Sequence, residues 1–165
     1  MKSIASAITA AAILSGASFT AVRAQGHHHV IQTTQEAQWG PAPPFVPAGA
    51  EIAVLAGDPT KSAAYAVRLK FPANYAIPAH SHPTDENVVV VSGALTFGMA
   101  DKLAKNAATN KTLGPGGFAS MPANMNHFAF TTAQPTTIVL YGQGPVEFKY
   151  VNPSDDPRNQ KSGSR

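Results

Sequence analysis

From Tyr65 to Phe71 the chain reads YAVRLKF, with Tyr65, Val67, Leu69 and Phe71 on one side of the alternation and Arg68 and Lys70 on the other. A period of two residues places successive side chains on opposite faces of a strand, so this segment separates its apolar face from its charged one as β structure. The same reading covers Glu51–Ala56, Asn87–Val91, Ala94–Met99, Phe118–Met121, His127–Thr132, Thr136–Gly142 and Val146–Val151, short runs separated by Gly, Pro and Asn turns. Asp101–Ala108 (DKLAKNAA) has helical composition, but for a turn or two at most. Many short strands with one minor helix predict a single all-β domain, a barrel or a sandwich. There is no internal repeat. Gly40–Pro47 (GPAPPFVP) is too rich in proline for a central strand and is expected to wrap an edge or the barrel mouth. Residues 152–165 (NPSDDPRNQKSGSR) are polar and turn-forming, and are expected to trail as a loose tail.

The start of the chain has a different character. Lys2 is followed by nineteen uncharged residues, Ile4 to Val22, and then by Val22-Arg23-Ala24, a small-residue cleavage signal. The uncharged length is nearly enough for a membrane anchor. Ala, Ser, Thr and Gly fill most of it, however, which favours a cleaved secretory signal over residues 1–24 and a periplasmic or secreted mature protein. With no cysteine the chain has neither a disulfide framework nor a lipid-anchoring thiol, so a soluble protein without a stable membrane anchor is expected, held by its core alone. Twelve basic and nine acidic residues include Lys2 and Arg23; without those two the net charge falls from +3 to +1. Nor do the remaining cations form a stripe, which argues against a nucleic-acid partner. The expected organisation is therefore signal peptide 1–24, an extension 25–44 with a His cluster and the proline-rich start, one domain over 45–151, and the tail.

Past residue 29 the chain has three histidines: His80 and His82 in HSHPTDE, and His127 in MPANMNHF. On a strand, His80 and His82 share a face, roughly 6–7 Å apart along the chain. Glu86 precedes a run of valines and can bend back toward them, and His127 opens a further alternating segment that could face the same point. A single such histidine is usually satisfied by ordinary hydrogen bonds. Three with a glutamate make an N3O donor set suited to one divalent transition metal, Mn, Fe, Co, Ni, Cu or Zn, and unsuited to Ca or Mg. Four protein ligands leave one or two positions for water or substrate. A second metal site would arise if cleavage follows Ala24, because Gln25-Gly26-His27 then presents a free amine, two amides and an imidazole to Cu(II) or Ni(II), with His28 and His29 nearby. The competing reading is a solvated tail, since Gln25 can cyclise and remove the amine.

NYAIPAHSHPTDENVVVVSG resembles the first cupin motif, G-x5-H-x-H-x3-E-x6-G, with His80, His82, Glu86 and Gly93 in register. GGFASMPANMNHFAFT resembles the second, G-x5-P-x-G-x2-H-x3-N, with Gly116, Pro122 and His127 in register. The two blocks span residues 74–131. The resemblance implies a single-domain cupin β-barrel of jelly-roll type, with a metal in its mouth held by His80, His82, Glu86 and His127. Asn74 and Asn124 stand where the family has glycine; both positions call for positive φ, which Asn tolerates best after Gly. Thr131 replaces the family's last Asn, which removes a polar group expected at the rim.

Parity predicts the surroundings. With His127 inward, Ala129 and Thr131 follow it, while Phe128 and Phe130 face the other way. With Glu86 inward, Val88 and Val90 join it, leaving Val89 and Val91 outside; a homodimer packed sheet on sheet, or the proline-rich segment, would cover them. Tyr75, Phe97, Met99 and Tyr141 are candidates for lining the pocket, with ordinary core as the competing role. Asp85 points away from Glu86, and no serine has a basic partner, so a hydrolytic triad is unsupported. Glu86 is the one nearby carboxylate able to take a proton as a catalytic group. Two classes of function follow. One is a metal-dependent enzyme, a dioxygenase or a related oxidoreductase acting on a small oxygenated substrate. The other is a non-catalytic extracytoplasmic domain that binds or senses a metal or small ligand.

Overall fold

The alternating segments become eleven strands in a computed structural model that describes residues 29–160. The expected signal peptide and Gln25-Gly26-His27 lie outside the described residues. In chain order the strands are β1 (Gly40–Pro41), β2 (Glu51–Ala56), β3 (Ala64–Phe71), β4 (Ala76–Ser81), β5 (Glu86–Ser92) and β6 (Leu95–Gly98). There follow β7 (Lys111–Leu113), β8 (Phe118–Met121), β9 (His127–Thr131), β10 (Thr136–Gln143) and β11 (Lys149–Tyr150). They form two antiparallel sheets, one in the order β1-β2-β3-β10-β5-β8 and the other β11-β4-β9-β6-β7.

The sheets face each other across one apolar layer. Val67, Leu69, Val88, Val90, Ile138 and Leu140 from the first sheet meet Ile77, Leu95, Phe97 and Ala129 from the second. The fold is thus the expected all-β one, with a difference: the sheets are not joined by hydrogen bonds into a closed barrel. Their edge strands β1, β7, β8 and β11 are two to four residues long, so few backbone groups are left unpaired where the sheets stay open. Among the described residues no helix is long and apolar enough to cross a membrane.

Phe128 and Phe130 face outward as parity requires, packing with Ala79 and with Leu103 of the loop after β6. Gly98 lies opposite Phe128 across β6 and β9, and a Cβ there would fall 2.0 Å from Phe128 Cζ. The ring occupies the space a side chain would have taken. The Leu103 loop covers it without becoming the helical turn expected at Asp101–Ala108. Asn110 Nδ2 donates to the Ala104 and Lys105 carbonyls, which closes the loop in place of a helical ladder.

Two other expectations change. The run Val146–Val151 is a strand only at Lys149–Tyr150, because the Val146 N–H is drawn away to the Pro59 carbonyl. The polar segment after it does not trail loosely through residue 160. It makes two 3₁₀ turns, Pro153–Asp155 and Pro157–Asn159, capped by Asn152 and Asp156, and Arg158 donates to the Phe148 carbonyl. The proline-rich segment does wrap an edge: Gly40–Pro41 pairs with β2, and Phe45 packs on Phe148. The outer face of the first sheet is mixed: Val91, Phe118 and Tyr141 are exposed on it, and so are Glu51 and Lys70, which form an ion pair.

Candidate metal centre

Strand pairing and one irregularity bring the four residues together. His80 is paired with His127 across β4 and β9, and the register shifts between Ile77 and His80. That shift lets Ile77 lie in the inter-sheet layer while Ala79 joins the outer cluster and His80 turns inward. Two turns then clamp the loops that carry the site. The Asn124 N–H donates to the His82 carbonyl at 2.8 Å, and Asp85 Oδ1 accepts the Ala123 N–H at 2.8 Å. Asn74 and Asn124 have φ of 57° and 62°, the positive values expected where the cupin pattern has glycine.

His80, His82, Glu86 and His127 are all buried. The potential donor atoms of the three histidines lie within 4.8 Å of one another, close enough to bind one metal ion. Each Nδ1 meets a backbone carbonyl oxygen: Pro78 at 2.7 Å for His80, Glu147 at 2.9 Å for His82, and Met125 at 3.0 Å for His127. A carbonyl only accepts, so each Nδ1 carries a proton and each ring is left to present its Nε2 inward. Such a second hydrogen bond also fixes the ring's orientation as a ligand.

Glu86 stands opposite, with Oε1 3.3 Å from His82 Nε2 and Oε2 3.5 Å from His127 Nε2. Burial, helped by the neighbouring imidazoles, takes the His80 pKa down to about 3. Burial also lowers that of His82, against the pull of the Glu86 charge. For Glu86 burial acts to raise the pKa, but the imidazoles of His82 and His127 outweigh it and the net shift is downward. With its Nδ1 engaged by the Glu147 carbonyl, His82 turns Nε2 directly toward the Glu86 carboxylate. His82 Nε2 is buried without a hydrogen-bond partner among the described residues. A cation fits this arrangement. With ligand distances of about 2.0–2.2 Å and angles near 90–110°, donors on one metal stand roughly 2.9–3.5 Å apart, the spacing of Glu86 from the two imidazoles.

The walls differ in part from those expected. Tyr75 and Phe97 are buried in the core, with Tyr75 stacked on Phe71 at 5.3 Å and donating to the Pro47 carbonyl. Met99 and Tyr141 are 52% and 39% exposed, and neither lines the centre. Tyr141 pairs with Asn87 and Ala66 on the outer face, where strand parity puts it; Met99 follows the end of β6. The aromatic wall is Phe148, stacked on His80 at 4.2 Å and edge-on to His82 at 4.7 Å. Alternation of Val146, Phe148 and Tyr150 was its signal in the sequence. Thr131 is not at the rim: it accepts the Tyr75 N–H and donates to the Pro72 carbonyl, tying β9 to the turn before β4.

Two facing antiparallel sheets with a histidine cluster brought together by β4 and β9 are the arrangement of a cupin fold. The chain belongs to the family described as Domain of unknown function (DUF4437), whose profile matches residues 18–161. Among solved structures it is similar to the polyketide cyclase RemF from Streptomyces resistomycificus, with TM-score 0.63 and 15% identity over 79% of this chain and 90% of that one. A protein proposed to be an acetylacetone dioxygenase from Methylibium petroleiphilum PM1 aligns with TM-score 0.60 and 18% identity, over 79% of this chain and 85% of that one. An RmlC-like cupin protein from Ralstonia eutropha JMP134 aligns with TM-score 0.56 and 18% identity, over 75% and 73%. No curated protein matches the sequence. At these identities the likeness establishes the fold.

Proposed function

We propose that His80, His82, His127 and Glu86 bind one divalent transition metal and that the protein is an exported, mononuclear metal-dependent enzyme acting on a small oxygenated molecule. The observation that carries this reading is the convergence of the side chains: the potential donor atoms of the three histidines lie within 4.8 Å of one another, Glu86 faces His82 Nε2 at 3.3 Å, and all three Nδ1 atoms are committed to carbonyls. When bound, such a metal supplies Lewis-acid chemistry and, if redox-active, oxygen chemistry. The three histidines hold and orient it, the apolar wall excludes water, and Glu86 can take a proton from a substrate held beside it. The fold is one shared with a proposed acetylacetone dioxygenase and a polyketide cyclase, both named for reactions of small oxygenated compounds. Oxidation of such a compound by a dioxygenase-like reaction is the favoured activity.

The test combines metal content with turnover. The purified protein is expected to carry about one metal per chain and to take up oxygen with at least one of a panel of phenols, diketones and organic acids, activity that chelation removes. Metal bound without turnover on any of them, but with tight ligand binding, would instead favour a binding or sensing domain. Export and assembly are read from the same preparation. The chain is expected to be recovered from the periplasm beginning at Gln25, and as two copies by light scattering, packed through the exposed Val91, Phe118 and Tyr141 face. A full-length chain, or a single copy, would refute the corresponding part.

A further inference from the structure

A cavity of about 130 Å³ lies against the inner face of the first sheet, and Phe148 in its wall borders the centre. Its walls are apolar, among them Phe45, Val67, Leu69, Leu140, Val146 and Phe148. Thr60 and Tyr65 supply its only hydroxyls, and no charged side chain lines it among the described residues. Phe148 is common to cavity and centre, since the same ring stacks on His80.

Tyr65 makes the second link. Across the first sheet Tyr65 pairs with Gly142, and Gly142 pairs with Glu86, so the tyrosine and the glutamate are separated by one residue without a side chain. The Tyr65 ring lies across that gap: a Cβ on Gly142 would stand 3.7 Å from the Tyr65 hydroxyl oxygen. The hydroxyls of Tyr75 and Tyr150 donate to the Pro47 and Phe45 carbonyls, whereas that of Tyr65 is engaged by no hydrogen bond among the described residues. It is a polar group on an apolar wall, turned toward the centre and free to donate.

We infer that this cavity holds the hydrocarbon body of the ligand, that the ligand is uncharged and about one ring in size, and that Tyr65 hydrogen-bonds the oxygen it presents to the centre. The size follows from volume: an apolar cavity of roughly 150 Å³ accepts benzene. The charge follows from the lining. A carboxylate or a polyhydroxylated body would lose its water with no cation and almost no donor to replace it. The selected class is therefore a phenol or a compact ketone or diketone rather than a sugar acid. The inference rests on the metal-centre reading of the preceding section.

The experiment uses the full chain loaded with zinc, so that no redox turnover intervenes, with 4-fluorophenol as probe by ¹⁹F NMR and gluconate as the charged, polyhydroxylated counter-probe. 4-Fluorophenol is expected to bind saturably with a Kd of about 1 mM or tighter, and gluconate not to displace it. Val146→Trp, which fills the cavity from a loop, should weaken binding at least about tenfold, with Val67→Phe as a second filling variant should the first fail to fold. Tyr65→Phe should weaken it about five- to tenfold. Zinc content stays near one per chain in all three. Displacement by gluconate, or wild-type affinity in the folded variants with zinc retained, overturns the inference and leaves the metal centre standing. Wild-type protein that retains under about a tenth of a zinc per chain overturns the metal reading itself, and the inference with it.

Discussion

Replacing His127 by alanine is expected to lower the metal bound by the folded protein by more than the roughly 10–100-fold that follows the loss of a mere supporting contact. The residue is 1% exposed, its Nδ1 is held by the Met125 carbonyl at 3.0 Å, and its Nε2 stands 3.5 Å from the Glu86 carboxylate. Its ring centre is 4.4 Å from that of His80 and 5.2 Å from that of His82, so its removal takes one corner from a cluster whose other donors stay in place. His82→Ala should behave alike, and the comparison is informative. His82 sits just beyond β4, oriented by the Glu147 carbonyl from the far end of the chain, whereas His127 sits inside a strand pair. Metal analysis of the dialysed variants checks both, with far-UV circular dichroism to show that each is folded. Unchanged metal loading in either would remove that residue from the ligand set.

Phe71→Ala is expected to cost about 3–5 kcal/mol of folding stability. Phe71 is 1% exposed, ends β3 opposite the fully buried Thr136, and stacks on Tyr75 at 5.3 Å. Tyr75 cannot follow the vacated space easily, because its hydroxyl is tied to Pro47 and its N–H to Thr131. Against a typical total of about 5–15 kcal/mol, that loss is large. It should also be separable from function. Phe71 is six positions along β3, roughly 20 Å, from Tyr65, which flanks the centre. Urea unfolding is therefore expected to show a lower midpoint with the same metal content per folded chain. Loss of metal in step with stability would mean that the two ends of the sandwich are coupled.

The strands that sequence reading located well are those whose alternation is driven by burial of one face. β2 and β8 have the expected bounds, and β3, β5, β9 and β10 differ by a residue or so. Reading failed where a partner outside the local pattern took the backbone groups. Val146 was written in the pattern of a strand, yet its N–H goes to Pro59; Asp101–Ala108 was written as a helical turn, yet Asn110 takes its carbonyls. β7, Lys111–Leu113, is three residues with no pattern of its own and exists because β6 offers an edge. The same division holds at the site. Parity placed Phe128 and Phe130 outside and Val88 and Val90 inside, but it did not distinguish a wall from a surface for Met99 and Tyr141.

By itself the sequence determined the all-β fold and the two asparagines that accept positive φ, and it singled out four side chains as a candidate site, because alternation, backbone preference and donor chemistry are properties of single residues and near neighbours. The tertiary structure decided what makes those four a centre. The register shift before His80, the Glu147 carbonyl that sets His82, the Phe148 ring on His80 and the glycine gap between Tyr65 and Glu86 join segments up to 77 residues apart in the chain. Contacts of that kind exist only once two sheets have packed, since each partner is fixed by strand pairing and not by its own neighbours.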